Sequence, residues 1–526
     1  MWDWPASCSL SAGWPVNCTN SGLTSFRQAR DCAILIAATA LTRIAFRSHF
    51  LYDIDSVNFA LALRRFDPAV HQPHPPGYFL YVRLGMLSNA IFRDPNNALV
   101  AISILASCGT VAMIYMLTSA WFGRAAAGFA GLIFVSSPLA WFHGTVALTY
   151  MVEAFFSGLI GYFCWRIHRG AQGFILPAAV ACGLAAGFRQ SSLLVLAPLF
   201  LFSLRRASRA LAWRGVGVLG LVLMGWFLPM LSAAGGISNY ASSLWALWSL
   251  VPSRQTVVTS TIFNSLARFG LIIAIYVLCF GCAAVLLWRA WKTSAPPGLK
   301  TFTWIWVTPG LLLFTFVYLK FVNSGYLLVL LPPACAWLGF WGADWYGYSS
   351  LPRLARIALL GAGAAINCAV FLRVPLYFSY GAMQRTQQQL SATLAAVRQV
   401  ADPRETIVVG FDSHFLGYRH AGYYLPEYLT IQFPEVPLAS SAVVFVMQQD
   451  DTRLVSRLPV GSFRDFILFP LPSSDQEYRQ YLQRVRARFP PGVLRATDQN
   501  GLELLTGQVS ALHILFPNSI DLERVP

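Results

Sequence analysis

Residues 51–92 read LYDIDSVNFALALRRFDPAVHQPHPPGYFLYVRLGMLSNAIF, and they concentrate groups able to do chemistry. Three carboxylates (Asp53, Asp55, Asp67), two histidines (His71, His74) and three arginines (Arg64, Arg65, Arg83) surround a rigid Pro-Pro-Gly corner. A carboxylate here can take a proton from an attacking hydroxyl, a general-base role contributing typically about 10²–10⁴-fold. Asp55 also precedes a helix-like run, so capping a helix is the competing structural role. The His-x-x-His spacing of His71 and His74 raises a metal, but Pro73 and Pro75 forbid the helix that usually presents such ligands. No metal site is read from the sequence, and a divalent ion is not excluded.

The elements that must position these groups are membrane helices. Hydrophobic residues make up 56% and charged residues 11% of 526 positions, with a mean hydropathy of +0.55, which excludes an ordinary soluble domain. Apolar stretches of roughly spanning length run over 31–48, 98–120, 125–142, 148–166, 173–188, 191–204, 213–233, 266–288, 302–319, 325–343 and 355–374, about eleven in all. The expected fold class is therefore an α-helical polytopic membrane module over 1–375, with a first extracytoplasmic loop at about 49–97, followed by a soluble α/β domain over 376–526. In that last part a polar helical stretch, MQRTQQQLSATLAAVRQV, precedes short β-branched runs (TIVVGF, YLTIQF, AVVFVM, FILFP) and a second helical stretch, QEYRQYLQRVRARF.

Basic residues orient the spans. With a cytoplasmic N-terminus, the inner loops hold Arg27 and Arg30, Arg124, Arg166 and Arg169, Arg205 to Arg214, Arg289 to Lys300, and Arg353 with Arg356. An odd number of spans places the C-terminal domain outside with the loops at 49–97 and 234–265. The expected location is a multi-pass bacterial inner or plasma membrane, with the first span retained. The net charge of +16 reflects this arrangement, so nucleic acid is not an expected partner. The scattered cysteines lie mostly in apolar segments and suggest no metal site. The run SVNFALALRRF, apolar at Val57, Ala60, Leu61 and Leu63, is compatible with an amphipathic helix on the membrane surface.

These landmarks resemble a family. Asp55-Ser56-Val57-Asn58-Phe59-Ala60, then His74-Pro75-Pro76-Gly77, is similar to the first-loop motif of C-type glycosyltransferases (the GT-C fold), especially protein O-mannosyltransferases and lipid A aminoarabinose transferases of the ArnT type. Ser56 stands where those carry Glu after the Asp, which leaves Asp53 as a competitor for the catalytic position. Ala147 to Glu153 resembles a segment bearing a further acid, Gly183 to Gln190 one that ends in a cation (here Arg189), and Gly325-Tyr326-Leu327-Leu328 a late segment whose Tyr lies near a lipid phosphate. The resemblance implies Asp55, Asp53 and His74 as catalytic residues, with Glu153, Arg189, Tyr326, Arg64 and Arg65 binding substrate.

It also implies a reaction. A polyprenyl-phosphate sugar presents its anomeric carbon at the interface, where an extracytoplasmic protein, lipid or glycan accepts the sugar. One inverting displacement needs one carboxylate base and no second nucleophilic carboxylate. Cations stabilise the leaving phosphate, so no cofactor is required. Arg189 suits this task through its planar fork, with Lys320 a further helper and Tyr326 a hydroxyl donor. Tyr240, Trp245, Trp248 and Arg254 of the second outer loop are candidates to cover the site. The rival readings are a transporter or flippase of lipid-linked sugars, which should show paired broken helices in two related halves, and a polymerase or ligase of envelope polysaccharide.

Overall fold

The computed structural model describes residues 21–250, 261–292, 295–318, 321–374, 377–433, 444–449, 451–455, 458, 461, 463–469, 483, 485–499 and 502–516. In the membrane module the helices are α1 (Ser21–Ala45), α2 (Ile54–Ala62), α3 (Phe79–Phe92), α4 (Pro95–Phe122), α5 (Arg124–Ser136), α6 (Pro138–His143), α7 (Tyr150–His168), α8 (Ile175–Phe188) and α9 (Ser191–Leu204). They continue as α10 (Arg209–Ala233), α11 (Ile237–Leu250), α12 (Ile262–Phe280), α13 (Leu299–Leu313), α14 (Leu331–Tyr348) and α15 (Arg353–Arg373). Then come α16 (Tyr380–Val400) and α17 (Tyr418–Tyr424) with seven strands, β1 (Thr406–Gly410), β2 (Leu429–Gln432), β3 (Val444–Gln448), β4 (Asp451–Val455), β5 (Asp465–Leu468), β6 (Arg495–Gln499) and β7 (Leu502–Gln508).

Local chemistry sets many of these boundaries. Asp94 begins α4: its Oδ1 accepts from the Asn97 N–H at 2.7 Å, and Pro95 occupies the first turn, where no amide donor is needed. The buried hydroxyls of Ser107, Thr110 and Thr118 inside α4 donate to carbonyls four residues back at 2.7–2.8 Å, so the helix satisfies its own polar groups. Ser137 caps α6, and Pro138 in its first turn breaks the apolar stretch 125–142 into α5 and α6.

Among the described residues five helices are long and apolar enough to cross a membrane: Pro95–Phe122, Arg209–Ala233, Leu299–Val317, Ser324–Tyr348 and Arg353–Arg373. A sixth forms if Ile262–Val277 and Gly281–Arg289, bent by 111°, are taken as one span. Five to six of the eleven sequence segments thus form helices that suffice to cross alone. Of the others, α5, α8 and α9 are only 13 or 14 residues long. Only 11% of the apolar windows of α10 and α15 is buried within the protein, which leaves their apolar flanks to lipid.

The strands form one mixed sheet in the order β4-β3-β2-β1-β5-β7-β6, parallel where β1 meets β2 and β5 and antiparallel elsewhere. Central β1 is buried along its whole length, which explains its unbroken apolar run. Its two faces belong to different cores. Ile407 and Val409 pack within a core of the sheet's own, whereas Val408 joins the core that continues into the membrane helices. Three of the sequence runs and the first polar helical stretch appear as β1, β2, β5 and α16, although the QEYRQYLQRVRARF stretch lies mostly outside the described residues. AVVFVM is β3 from Val444 onward.

The C-terminal region is docked on the first loop rather than tethered beside it. Tyr424 Oη accepts from the Leu51 N–H at 2.9 Å, and Tyr52 Oη donates to the Tyr377 carbonyl at 2.8 Å. Gln72 Nε2 donates to Thr452 Oγ1 at 2.6 Å. Fully buried Arg419 donates to the Val70 carbonyl at 2.7 Å and to Thr452 Oγ1 at 3.3 Å, with its guanidinium over the Tyr418 and Phe445 rings. Helix α2 is covered as a result. Ser56 to Ala62 are all buried, with α4 and α17 packed against the helix, so it is not the membrane-surface helix expected from its pattern. An apolar stripe reads alike whether lipid or protein covers it.

Arg419→Met should therefore loosen the docking. Charge-assisted hydrogen bonds contribute about 1.5–3 kcal/mol each, and the variant is expected to show faster proteolysis between Val374 and Thr406 than wild type. Equal cleavage rates would show that the apolar contacts alone hold the two regions together.

Candidate active site

The site begins at the N-terminus of α2. Asp53 is its cap, in extended conformation, with Oδ1 accepting from the Asp55 N–H at 2.8 Å. The capping role open to Asp55 in the sequence thus falls to Asp53, and Asp55 sits in the first turn, where the helix dipole favours a negative charge. Asp55 Oδ1 lies 3.2 Å from His74 Nδ1, an ion-pair contact rather than an aligned hydrogen bond. His74 Nε2 is 3.0 Å from Tyr78 Oη.

The proline corner carries His74 into place. The Gln72-Pro73 and Pro75-Pro76 peptides are cis, and Gly77 has φ +113°, a conformation that disfavours any side chain. The Pro76 carbonyl is gripped twice, by Tyr240 Oη at 2.9 Å and Gln190 Nε2 at 3.2 Å, so α11 and the end of α8 hold the corner. His71 turns away, its ring 5.2 Å from that of Phe445, and the two histidines do not converge. Among the described residues no three His, Cys, Asp or Glu side chains gather as a metal site.

The two neighbouring carboxylates differ in electrostatics. Burial would raise the Asp55 carboxyl, but His74 foremost, with His414 and Arg189, outweighs it and holds the group at about 2. Asp53 moves the other way. Burial and then the Asp55 charge push its carboxyl well above the usual range, against one backbone hydrogen bond.

Arg189 follows α8 directly. Its Nε lies 3.1 Å from Glu153 Oε2 and donates to Ser191 Oγ at 3.2 Å, while Nη1 donates to Thr149 Oγ1 at 2.8 Å. Glu153 in turn accepts from Ser192 Oγ at 2.9 Å. The guanidinium carbon lies 4.4 Å from the Tyr326 ring centre, 4.5 Å from that of Tyr150 and 5.7 Å from that of Tyr78. Tyr78 therefore touches His74 through its hydroxyl and Arg189 through its ring, making one continuous chain from Asp55 to Arg189.

A cavity opens beside that chain. Asp53, Asp55, His143, Tyr150 and Ser324 line it from the membrane module, and Tyr377, Phe378, His414 and Phe415 close it from the C-terminal side. The His414 carbonyl accepts from the Ile54 N–H at 2.8 Å, which locks this closing loop to the start of α2. Gly325 makes room at the back: a Cβ there would lie 2.5 Å from the Tyr150 ring and 2.7 Å from His143 Cε1.

The structure brings together Asp53, Asp55, His74, Glu153, Arg189 and Tyr326, which the sequence singled out. Arg65 belongs elsewhere. Its guanidinium pairs with Asp67 at 2.7 Å and with Asp451 at 2.9 Å, so two carboxylates at the seam with the C-terminal region already hold the cation expected on a substrate. Arg64 is exposed beside it. Lys320 and Arg254 lie outside the described residues, while Trp245 is exposed. Sequence reasoning missed Tyr78, His143, Tyr150 and His414. His143, an ionisable group in an apolar stretch, carried a readable signal; His414 carried none, since only docking delivers it.

Residues 69–212 match the family profile described as "Protein O-mannosyl-transferase TMEM260 N-terminal domain", a stretch holding His74, Glu153 and Arg189 but not Asp53 or Asp55. The chain is similar to ArnT from Cupriavidus metallidurans bound to undecaprenyl phosphate, with a TM-score of 0.55 and 12% identity over 93% of this chain and 99% of that one. The apo state of the same ArnT gives 0.53 and 12% identity over 92% and 98%. The fold is the GT-C glycosyltransferase fold. No curated protein matches the chain in sequence. Within the GT-C frame the Asp55–His74–Tyr78–Arg189 chain lies at the end of the bundle where the C-terminal region docks.

Proposed function

We propose that this chain is an integral membrane glycosyltransferase that moves a sugar from a polyprenyl-phosphate carrier to an extracytoplasmic acceptor by one inverting displacement. The observation that carries the reading is the single chain of contacts from an ionised carboxylate, Asp55, through His74 and Tyr78 to the buried cation Arg189. A base linked through neighbouring side chains to a cation able to hold phosphate is what such a transfer needs. The ArnT neighbour, whose structure holds undecaprenyl phosphate, supports the lipid-phosphate donor.

In this mechanism the acceptor oxygen attacks the anomeric carbon while Asp55 takes its proton. The bond between that carbon and the phosphate oxygen breaks, and the electron pair leaves with polyprenyl phosphate. Arg189 stabilises the developing charge in a low-dielectric setting, and Glu153 orients the guanidinium through Nε. Tyr326 lies against the same cation. His74 keeps Asp55 ionised and aimed. We read the shorter apolar helices as completing the crossing of a bundle of about eleven spans, with the N-terminus cytoplasmic and the docked end outside.

The test is direct. Purified protein given a radiolabelled polyprenyl-phosphate sugar and membrane extract is expected to release polyprenyl phosphate and label an acceptor. Movement of the labelled lipid between leaflets with no release of phosphate would mark a flippase and sink this reading.

A further inference from the structure

The cavity holds a polar side chain that the mechanism does not use and that has no partner in the fold. His143, the last residue of α6, is 3% exposed, and neither Nδ1 nor Nε2 has a hydrogen-bond partner within the protein. Buried polar atoms are normally paired, so an imidazole orphaned at both nitrogens points to a ligand. Its placement is built. The ring stands edge-on to Phe142 at 5.1 Å and to Tyr150 at 4.9 Å between centres, and the space beside Cε1 exists because residue 325 is glycine.

The neighbours identify the ligand's chemistry. His143 faces the same cavity as Asp53, Asp55 and Ser324, with Tyr150 and Phe415 among its aromatic walls. A phosphate accepts hydrogen bonds only, and here it would meet the ionised Asp55 carboxylate, which also only accepts. Its place is with Arg189. A pyranose is the reverse case: each hydroxyl donates and accepts, matching the Asp55 carboxylate acceptor and a neutral imidazole that has one donor and one acceptor, while its C–H face suits an aromatic ring. Tyr150 links the cavity to the cation, since its ring lies 4.5 Å from the Arg189 guanidinium carbon and also lines the cavity.

We infer that this cavity is the inner end of the glycosyl subsite, with room for a hydroxyl rather than a whole ring, and that His143 hydrogen-bonds a hydroxyl group of the transferred sugar there, as a specificity-determining residue and not as an acid or base. The inference rests on the glycosyltransferase reading and says where in that site the sugar sits. It also gives Gly325 a purpose, because a methyl group there would push on the two side chains that frame the sugar.

The experiment compares lipid affinities of the full chain in detergent micelles for wild type, His143→Phe and His143→Gln. The probes are bare polyprenyl phosphate and polyprenyl-phosphate mannose, glucose and galactose. Wild type is expected to bind at least one sugar-bearing lipid more tightly than the bare one. His143→Phe keeps the ring but loses both nitrogens, and should weaken that sugar-bearing lipid about 10- to 100-fold, corresponding to one or two lost hydrogen bonds, with bare-lipid affinity unchanged. His143→Gln should restore part of the loss and change the order of preference among the sugars.

An unchanged preference in His143→Phe overturns the assignment. So does a parallel loss for bare and sugar-bearing lipid, which marks a packing role, or a wild type that prefers no sugar. Failure of wild type to bind any lipid phosphate is a different result: it removes the glycosyltransferase reading, and the subsite with it.

Discussion

Asp55→Asn is expected to slow transfer by about 10²–10⁴-fold, the usual general-base contribution, while affinity for bare polyprenyl phosphate stays near that of wild type. Asn keeps the shape of Asp and can still face His74, but it cannot accept the acceptor's proton. Asp53→Asn is the matched control, because Asn caps a helix as well as Asp does. It should leave the start of α2 intact and cost little rate. The two carboxyls also differ in the pH profile they impose. Asp55, held at about 2, stays ionised throughout the working range, so as base it puts no acid limb into kcat/KM above roughly pH 4. Asp53, shifted upward by burial and by its neighbour's charge, would place a limb at higher pH if it were the base. A carboxylate with so low a pKa is a weak base, yet it suffices where the hydroxyl loses its proton late, after the bond to the attacked carbon has begun to form. An acid limb that vanishes in Asp53→Asn, together with an active Asp55→Asn, would transfer the role to Asp53.

Much of this site was legible because polar groups are conspicuous in an apolar chain. Asp55, His74, Glu153 and Arg189 each stood out as an ionisable group at the edge of an apolar segment, and four separate elements carry them to one place. Their roles were less legible than their identities. Asp53 and Asp55 both fit the start of a helix, and only the backbone decides that Asp53 takes the cap. Arg65 is a cation beside a candidate base in the sequence, but its partner Asp451 lies 386 positions away. The docking of α17 depends on Arg419 reaching Val70 across 349 positions, and nothing local in YRHAGYY announces that contact. The break at Pro138 is different, since a Ser-Pro pair starting a new helix was readable where the apolar run was taken as one span. Periodicity finds apolar faces, whereas the partner of each face is a property of the whole fold.

Arg189→Met is expected to be the most damaging single change, and for two separable reasons. Glu153 has no side-chain exposure, and removing its cation leaves a buried carboxylate uncompensated, which costs about 3–5 kcal/mol. Low yield of that variant would therefore say nothing about substrate. The double variant Arg189→Met with Glu153→Gln separates the two effects. Both charges leave together, Gln can still accept from Ser192, and Met fills space among Tyr78, Tyr150 and Tyr326, so most of the lost stability should return as a recovered thermal midpoint. Binding should not return with it. A phosphate that loses one or two hydrogen bonds from a guanidinium forfeits about 1.5–3 kcal/mol for each, so the folded double variant should bind bare polyprenyl phosphate at least about 10-fold more weakly than wild type. Arg189→Lys would fall between, since an ammonium supplies charge but not the planar fork that reaches Glu153, Ser191 and Thr149 together. A folded double variant with wild-type affinity for polyprenyl phosphate would reduce Arg189 to a structural partner of Glu153 and remove the cation from the mechanism.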